Sequence, residues 1–467
     1  MRELLEAHDP ASPAIIEPKY SKNICYGNLI ASIHSIEDRL KRLMDRAPIF
    51  LYSSNTPDAI AIYLACLSLG YPICILEPAP ANLDRLVEIY KPPMVVLPSG
   101  VPLAANYVDA GELPATSYRA FLAEGNVAAA PHPELALLVQ TSGSTGDPKL
   151  VRLSLNAILA NARSIVQYLD LTPNERSIQG LPVHYSYGLS LINSHLISGG
   201  AVVLTEHSFM RPEFWRDFDT AKCTSFAGVP YMYEILQRLR FSAAKHPSLR
   251  TMTQAGGALR ADLTEAFYKD ALAAKCRLFV MYGQTEAAPR ISYVPPERLG
   301  EKIGSIGIPI PGGHLELVET EDLSEEFELV YHGPNVMMGY ATNPDDLSLG
   351  DDLHGVLHTG DLAKVDDEGF FYLVGRLKRI AKLFGRRINL ADVENELEKR
   401  YPLRSAVIGK DDLLTVFVQE LSQIDLSEVQ LHISKFLNTT PKAIVIKPID
   451  AIPVTVAGKK DYKVLST

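Results

Sequence analysis

Leu135-Ala136-Leu137-Leu138-Val139-Gln140 is an unbroken apolar run that leads into Thr141-Ser142-Gly143-Ser144-Thr145-Gly146-Asp147-Pro148-Lys149. A short apolar run bounded by a turn signal reads as a strand buried on both faces, as strands of parallel sheets are. The segment after it combines Ser and Thr hydroxyls, two glycines that let backbone N–H groups approach, and a closing lysine. Those residue types suit a loop that wraps polyphosphate oxygens. The alternative, a solvated Ser/Gly linker, is not expected between a buried strand and a helix opening at the Pro-Lys end. The loop is not a Walker A motif, because Gly409-Lys410 and Gly458-Lys459 both lack the upstream glycine, and no GxSxG elbow marks a serine hydrolase.

Outward from this loop, short β-branched runs alternate with helix-like stretches: Pro48 to Tyr52, Pro93 to Leu97, Ala201 to Leu204 and Arg277 to Met281. Such alternation predicts an α/β fold with largely parallel sheets. From about Gly312 strand-like pieces follow one another, His314 to Val318, Phe327 to Tyr331 and Phe370 to Val374, which predicts a β-rich subdomain. After Gly375 the basic stretch Arg376-Leu377-Lys378-Arg379 precedes a helical segment, Leu390 to Arg400, and then mixed strands and helices. The boundary is therefore placed there: a large domain over residues 1–375 and a small α+β domain over 376–467. The uncharged run Ala59 to Leu76 approaches a membrane span in length, but Ser68, Gly70 and Pro72 break it into an amphipathic helix, a Gly turn and a strand.

With 467 residues the chain has room for two or three domains. Its composition, 47% hydrophobic and 21% charged, excludes disordered and collagen-like classes. The formal charge, 45 − 55 = −10, gives no footprint for nucleic acid or an anionic membrane, although a local basic cluster can hold a small anion. The start, with Arg2, Glu3, Glu6 and Asp9, has no secretory apolar core. Five cysteines without metal-ligand spacing point to free thiols in a reducing cytoplasm.

TSGSTGDPK resembles the signature loop of the acyl-adenylate-forming superfamily, which includes acyl-CoA and aryl-CoA ligases, peptide-synthetase adenylation domains and luciferases. Further matches follow in the family's order: Gly256-Gly257-Ala258, Met281-Tyr282-Gly283-Gln284-Thr285-Glu286, Gly304 to Pro309, Gly333 to Tyr340, His358-Thr359-Gly360-Asp361, Gly375-Arg376 and Pro453 to Lys459. The resemblance implies a large N-terminal adenylation domain and a mobile C-terminal lid. It implies a carboxylic acid ligase that uses ATP and Mg²⁺ to form acyl-AMP and pyrophosphate. The acyl group then passes to coenzyme A as first choice, to a carrier-protein phosphopantetheine, or directly to an amine.

A carboxylate attacking the α-phosphate of ATP brings two anions together, so the site must neutralise charge while holding an in-line geometry. By the resemblance Lys459 supplies that charge, whereas in isolation it would be a surface lysine of a Gly-Lys-Lys turn. Thr141, Ser142, Gly143, Ser144, Thr145, Gly146 and Lys149 wrap the phosphates, and Gly257, Ala258 and Leu259 form the adenine loop. Tyr282 stacks on adenine, unless it is simply core. Thr285 touches the α-phosphate, and Glu286 holds Mg²⁺, a role compatible with that of a helix N-terminal carboxylate. Asp361 accepts the ribose hydroxyls with Arg376 assisting, the alternative being a turn aspartate. Lys378 occupies the hinge position, and Gly385 lines the channel for the incoming thiol; otherwise the stretch Arg376 to Arg387 is a basic surface.

The acid pocket falls on Pro182 to Gly188, with His184 or Tyr185 as its gate and the count back from Gly188 favouring Tyr185. Gly228, Gly256 and Gln284 complete the expected pocket. No carboxylate in this segment could pair an α-ammonium, which favours a non-amino acid. Leu150, Leu155, Leu259 and Glu326 depart from the family's usual residues, but none removes a phosphate or ribose ligand. A non-catalytic nucleotide-binding protein of the same fold is the different-class reading, and Lys459, Glu286 and Asp361 argue against it.

Overall fold

Leu135–Gln140 is a strand, buried along nearly its whole length. The chain beyond the loop departs from expectation: Leu150–Ser154 is a strand, antiparallel to the first with Val139 opposite Val151, where a helix was expected. The reason lies in packing and capping. Leu150-Val151-Arg152-Leu153 is buried between Leu135–Gln140 and Gly339–Ala341, and Ser154 is the first residue able to cap a helix. Its Oγ accepts from Ala157 N at 3.0 Å, and the helix Leu155–Leu169 starts there.

The computed structural model describes the chain except residues 104–105, 125–129, 141–148, 321–322, 385, 411, 421–423, 455–459 and 467. Its two compact units are Met1–Ile303 with Pro309–His314 and His332–Leu357, and Gly304–Ile308 with Leu315–Tyr331 and His358–Thr467. No helix among the described residues is long and apolar enough to cross a membrane, and all five cysteines are unpaired.

The first unit holds two large sheets. In one, Arg277–Tyr282, Thr251–Gln254, Ser225–Gly228, Arg176–Ile178, Ala201–Val203 and Pro13–Glu17 lie side by side in parallel. Antiparallel Ser292–Val294 and Lys22–Cys25 flank them. In the other, Leu135–Gln140, Ile73–Leu76, Ile49–Tyr52 and Met94–Pro98 form a parallel centre with antiparallel neighbours on either side.

The helix Pro57–Leu69 fills the core between elements and corrects the expectation of an amphipathic helix, because every residue from Ala59 to Leu67 is buried. A helix apolar all round has no solvent face to present. Each buried Leu or Ile contributes about 1.5–3 kcal/mol by leaving water. Its ends are set locally: Thr56 Oγ1 accepts from Ala59 N, Pro57 opens the first turn, and Gly70 terminates it at φ 72°.

The second unit carries a sheet of four strands in the order His314–Thr320, Leu323–His332, Val356–Val365, Phe371–Arg376. The antiparallel pair Ile380–Leu383 and Arg386–Asn389 and the three-stranded sheet Leu403–Lys410, Leu413–Glu420, Ile444–Pro448 follow. Helices Leu390–Arg400 and Leu426–Phe436 cover the latter over a core of Val393, Leu397, Val407, Val416, Val429 and Ile433.

Candidate active site

The parallel strands of the first unit bring their C-terminal ends to one edge of the sheet, where open α/β sheets bind ligands. At the end of Arg277–Tyr282 the chain turns through Gly283, where an added Cβ would stand 1.8 Å from the Pro289 carbonyl oxygen, so only glycine fits. Thr285–Ala287 then forms a tight 3₁₀ turn. Asn335 fixes this turn by donating through Nδ2 to the carbonyls of Ala287 at 2.6 Å and Arg290 at 2.8 Å. Met337 N donates to Glu286 O at 2.8 Å.

Within the turn, Thr285 Oγ1 meets Ser186 Oγ at 3.1 Å, and Glu286 Oε1 accepts from the Tyr340 hydroxyl at 2.8 Å. Burial pushes the Tyr340 phenol upward, and the adjacent carboxylate adds to the shift. The Glu286 Oε2 oxygen accepts no hydrogen bond from the described residues and stays open. Among the described residues no group of three His, Cys, Asp or Glu side chains could cage a metal. One open carboxylate oxygen fits Mg²⁺, which keeps several waters and takes one or two carboxylates plus substrate phosphate. Lys149 places its ammonium 5.7 Å from the centre of the Tyr340 ring.

Tyr340 has a support that sequence reading missed. Arg152, fully buried, stands opposite Gly339 in the strand pairing with Gly339–Ala341. It pairs with Asp352 at 2.7 Å and donates to the carbonyls of Met338 at 3.0 Å, Tyr340 at 3.2 Å, Gly350 at 3.0 Å and Leu349. The signal available in sequence was an arginine inside the apolar run Leu150 to Leu153.

The expected acid pocket gathers at the neighbouring strand ends. Gly256 has φ +88°, and a Cβ there would stand 2.8 Å from the Tyr185 hydroxyl and 3.1 Å from Val229. Gly188 admits no side chain, since its Cβ would lie 2.2 Å from Pro182 O, and this locks the loop before the helix Ser186–Ile197. Tyr185 therefore faces Gly256, next to Gly228 at the end of its strand. His184 is partly buried with an unpartnered Nδ1, and burial lowers its pKa from the ordinary 6.5 to about 4. Tyr282 is buried, and Gln284 Nε2 donates to its hydroxyl at 3.2 Å. Gly257 and Ala258 are exposed, whereas Leu259 turns inward.

In the second unit Asp361, 1% exposed, stands opposite Arg376 on adjacent antiparallel strands, with Nε at 2.5 Å from Oδ1. Thr359 Oγ1 accepts from Asp361 N at 3.1 Å and donates to Leu329 O at 2.6 Å, holding the aspartate's turn. A Cβ on Gly375 would collide with Asn389, whose Nδ2 donates to Val374 O at 2.8 Å and whose Oδ1 caps the helix Leu390–Arg400. Lys378 lies in the short turn Leu377–Arg379. Thr141, Ser142, Gly143, Ser144, Thr145, Gly146, Gly385 and Lys459 lie outside the described residues.

The chain matches the AMP-binding enzyme family over residues 6–341. It belongs to that family. It is an ATP-dependent enzyme of the AMP-forming acid-ligase type. It is 34% identical over 347 residues to a feruloyl-CoA synthase of Amycolatopsis, covering 70% of this chain and 68% of that relative. In fold it is similar to o-succinylbenzoate CoA synthetase of Bacillus subtilis in complex with an acyl-adenylate intermediate, with a TM-score of 0.79 at 21% identity over 100% of this chain and 97% of that one. ATP-bound MatB of Rhodopseudomonas palustris gives a TM-score of 0.80 at 23% identity, covering 99% and 97%.

Proposed function

We propose that this family member is an acyl-CoA synthetase of the cytoplasm. It joins a small carboxylic acid to ATP and then hands the acyl group to the thiol of coenzyme A. The observation that carries this reading is the Thr285–Glu286 turn, locked at a parallel strand's end with one carboxylate oxygen open. In the first step a carboxylate oxygen attacks the α-phosphorus, the bond to the bridging oxygen breaks, and pyrophosphate leaves. Thr285 positions the α-phosphate, and Lys459 offsets the charge of the two anions that meet. Glu286 would hold Mg²⁺, which would supply charge neutralisation at the phosphates. Asp361, oriented by Arg376, accepts the ribose hydroxyls. In the second step the thiol sulfur attacks the acyl carbon, its proton leaves to solvent, and AMP departs with the C–O electron pair.

Residues 1–375 act as the adenylation domain and 376–467 as a lid that turns at Lys378, bringing Lys459 for one step and Gly385 for the other. The coenzyme A acceptor is supported by the name of the Amycolatopsis relative, and the reducing compartment by five unpaired cysteines. The test supplies preformed acyl-AMP with coenzyme A, with pantetheine-loaded carrier protein, or with an amine. Thioester formation with free coenzyme A, at a rate at least ten times the others, is expected. Amide formation or exclusive use of the carrier protein contradicts the proposed acceptor.

A further inference from the structure

Two arginines of the first unit have side chains removed from water, and they differ in what they meet. Arg152 is met by a carboxylate and four carbonyl oxygens. Arg290, 2% exposed, has no carboxylate of the described residues within ion-pair distance, and its Nε makes no hydrogen bond. Its guanidinium lies 4.2 Å from the centre of the Tyr187 ring, hydrogen-bonds the Tyr168 phenol and acts on Tyr185 through its charge. Burial raises all three phenols, and the Arg290 charge draws each back down. The cation thus meets a ring face and a phenol but, among the described residues, no carboxylate, and a buried cation without a counter-charge is costly.

The place of this cation is fixed by the site. Arg290 follows Glu286 by four residues, and its carbonyl is held by Asn335. Tyr187 donates or accepts at Thr253 Oγ1, 2.8 Å away, on the strand that leads to Gly256, and Tyr185 faces Gly256 itself. Gln254 Oε1 and His184 Nδ1, both buried, lack partners at the same strand ends. The charge thus acts on Tyr185, the residue that faces Gly256 in the expected acid pocket.

We infer that Arg290 selects the acid, taking a dicarboxylic acid whose second carboxylate pairs with the guanidinium while the first reacts with ATP. The inference rests on the ligase reading proposed above and names its substrate class. The same cation repels an α-ammonium, so amino acids are excluded by charge as well as by the missing carboxylate at the gate. A neutral-tailed acid leaves Arg290 unpaired, and a site built around a polar partner rejects the analogue lacking it.

The test measures acid-dependent exchange of pyrophosphate into ATP with aliphatic and aryl dicarboxylic acids of graded length, each beside its monomethyl ester. Expected is a preference of the wild-type enzyme for at least one diacid over its ester of tenfold or more in kcat/KM. Arg290→Gln should lower that diacid about a hundredfold, the scale of one lost partner in a buried charge pair, while sparing the ester, and Arg290→Lys should recover part of it. Equal use of diacid and ester by the wild type, or an equal loss on both in Arg290→Gln, overturns the inference and leaves the ligase reading intact. If Arg290→Gln fails to fold, judged by thermal unfolding and ATP binding, the wild-type ratio alone decides. Absence of exchange with every acid, esters and monocarboxylates included, overturns the ligase reading and the inference with it.

Discussion

The Tyr340 hydroxyl donates to Glu286 Oε1 at 2.8 Å across 54 residues of sequence. This bond turns a side chain on a tight loop into a fixed carboxylate, with one oxygen occupied and the other free for a hard cation. It also ties the strand end that carries Thr285 to the segment that Arg152 clamps.

Metal affinity should follow that arrangement. Tyr340→Phe removes an outer partner of a carboxylate ligand and should raise the Mg²⁺ concentration for half-maximal activity about tenfold, and Glu286→Gln should raise it further. Calorimetric titration of ATP with and without Mg²⁺ checks this. ATP affinity in the absence of metal should be nearly unchanged in both variants.

Nucleotide affinity should depend on Asp361 instead. Asp361→Ala removes an acceptor whose hydrogen bonds carry a charge, so ATP should bind roughly 10- to 100-fold more weakly at every Mg²⁺ concentration. An effect that varies with Mg²⁺ in the manner of Glu286→Gln contradicts the ribose role.

Arg152 is a structural anchor, and its loss should appear in stability. Arg152→Met leaves the carbonyls of Met338 and Gly350 without their donor and removes the partner of Asp352, whose side chain is 58% exposed, an effect of about 1–3 kcal/mol for buried acceptors left unsatisfied. Urea unfolding at pH 7 measures it. A change below about 1 kcal/mol removes Arg152 from the core of the fold.

The alternation of strands was legible because apolar runs such as Leu135–Gln140 belong to buried parallel strands and little else. Asp361 and Arg376 were named through the motif resemblance, and the fold sets them opposite each other on adjacent strands. The helix Pro57–Leu69 was recognised but given a solvent face it lacks, since a sequence does not say how many elements will surround a helix. Leu150–Ser154 was misread because its strand state depends on Gly339–Ala341, nearly 190 residues away. Arg152, Arg290 and Tyr340 escaped for the same reason. Their roles lie in partners, or missing partners, that only the folded chain defines.

Acid should loosen the first unit. Burial holds His184 and His195 at about 4, below the ordinary 6.5, so the unfolded chain binds more protons than the folded one between these values. The stability contributed by their neutral forms is complete above about pH 6.5 and declines as pH falls toward 4. The urea midpoint should therefore drop between pH 7 and pH 5, and the drop should shrink in His195→Gln. An identical pH response in that variant contradicts a buried neutral His195.

The most direct test of acid activation is pyrophosphate exchange into ATP by wild-type enzyme and by Lys459→Ala, across a panel of carboxylic acids. Expected is exchange that requires both enzyme and acid, lowered at least ~10²-fold in Lys459→Ala, the scale of one lost transition-state charge, with ATP affinity little changed. Exchange that proceeds without any acid, or at the wild-type rate in Lys459→Ala, contradicts adenylation through this lysine.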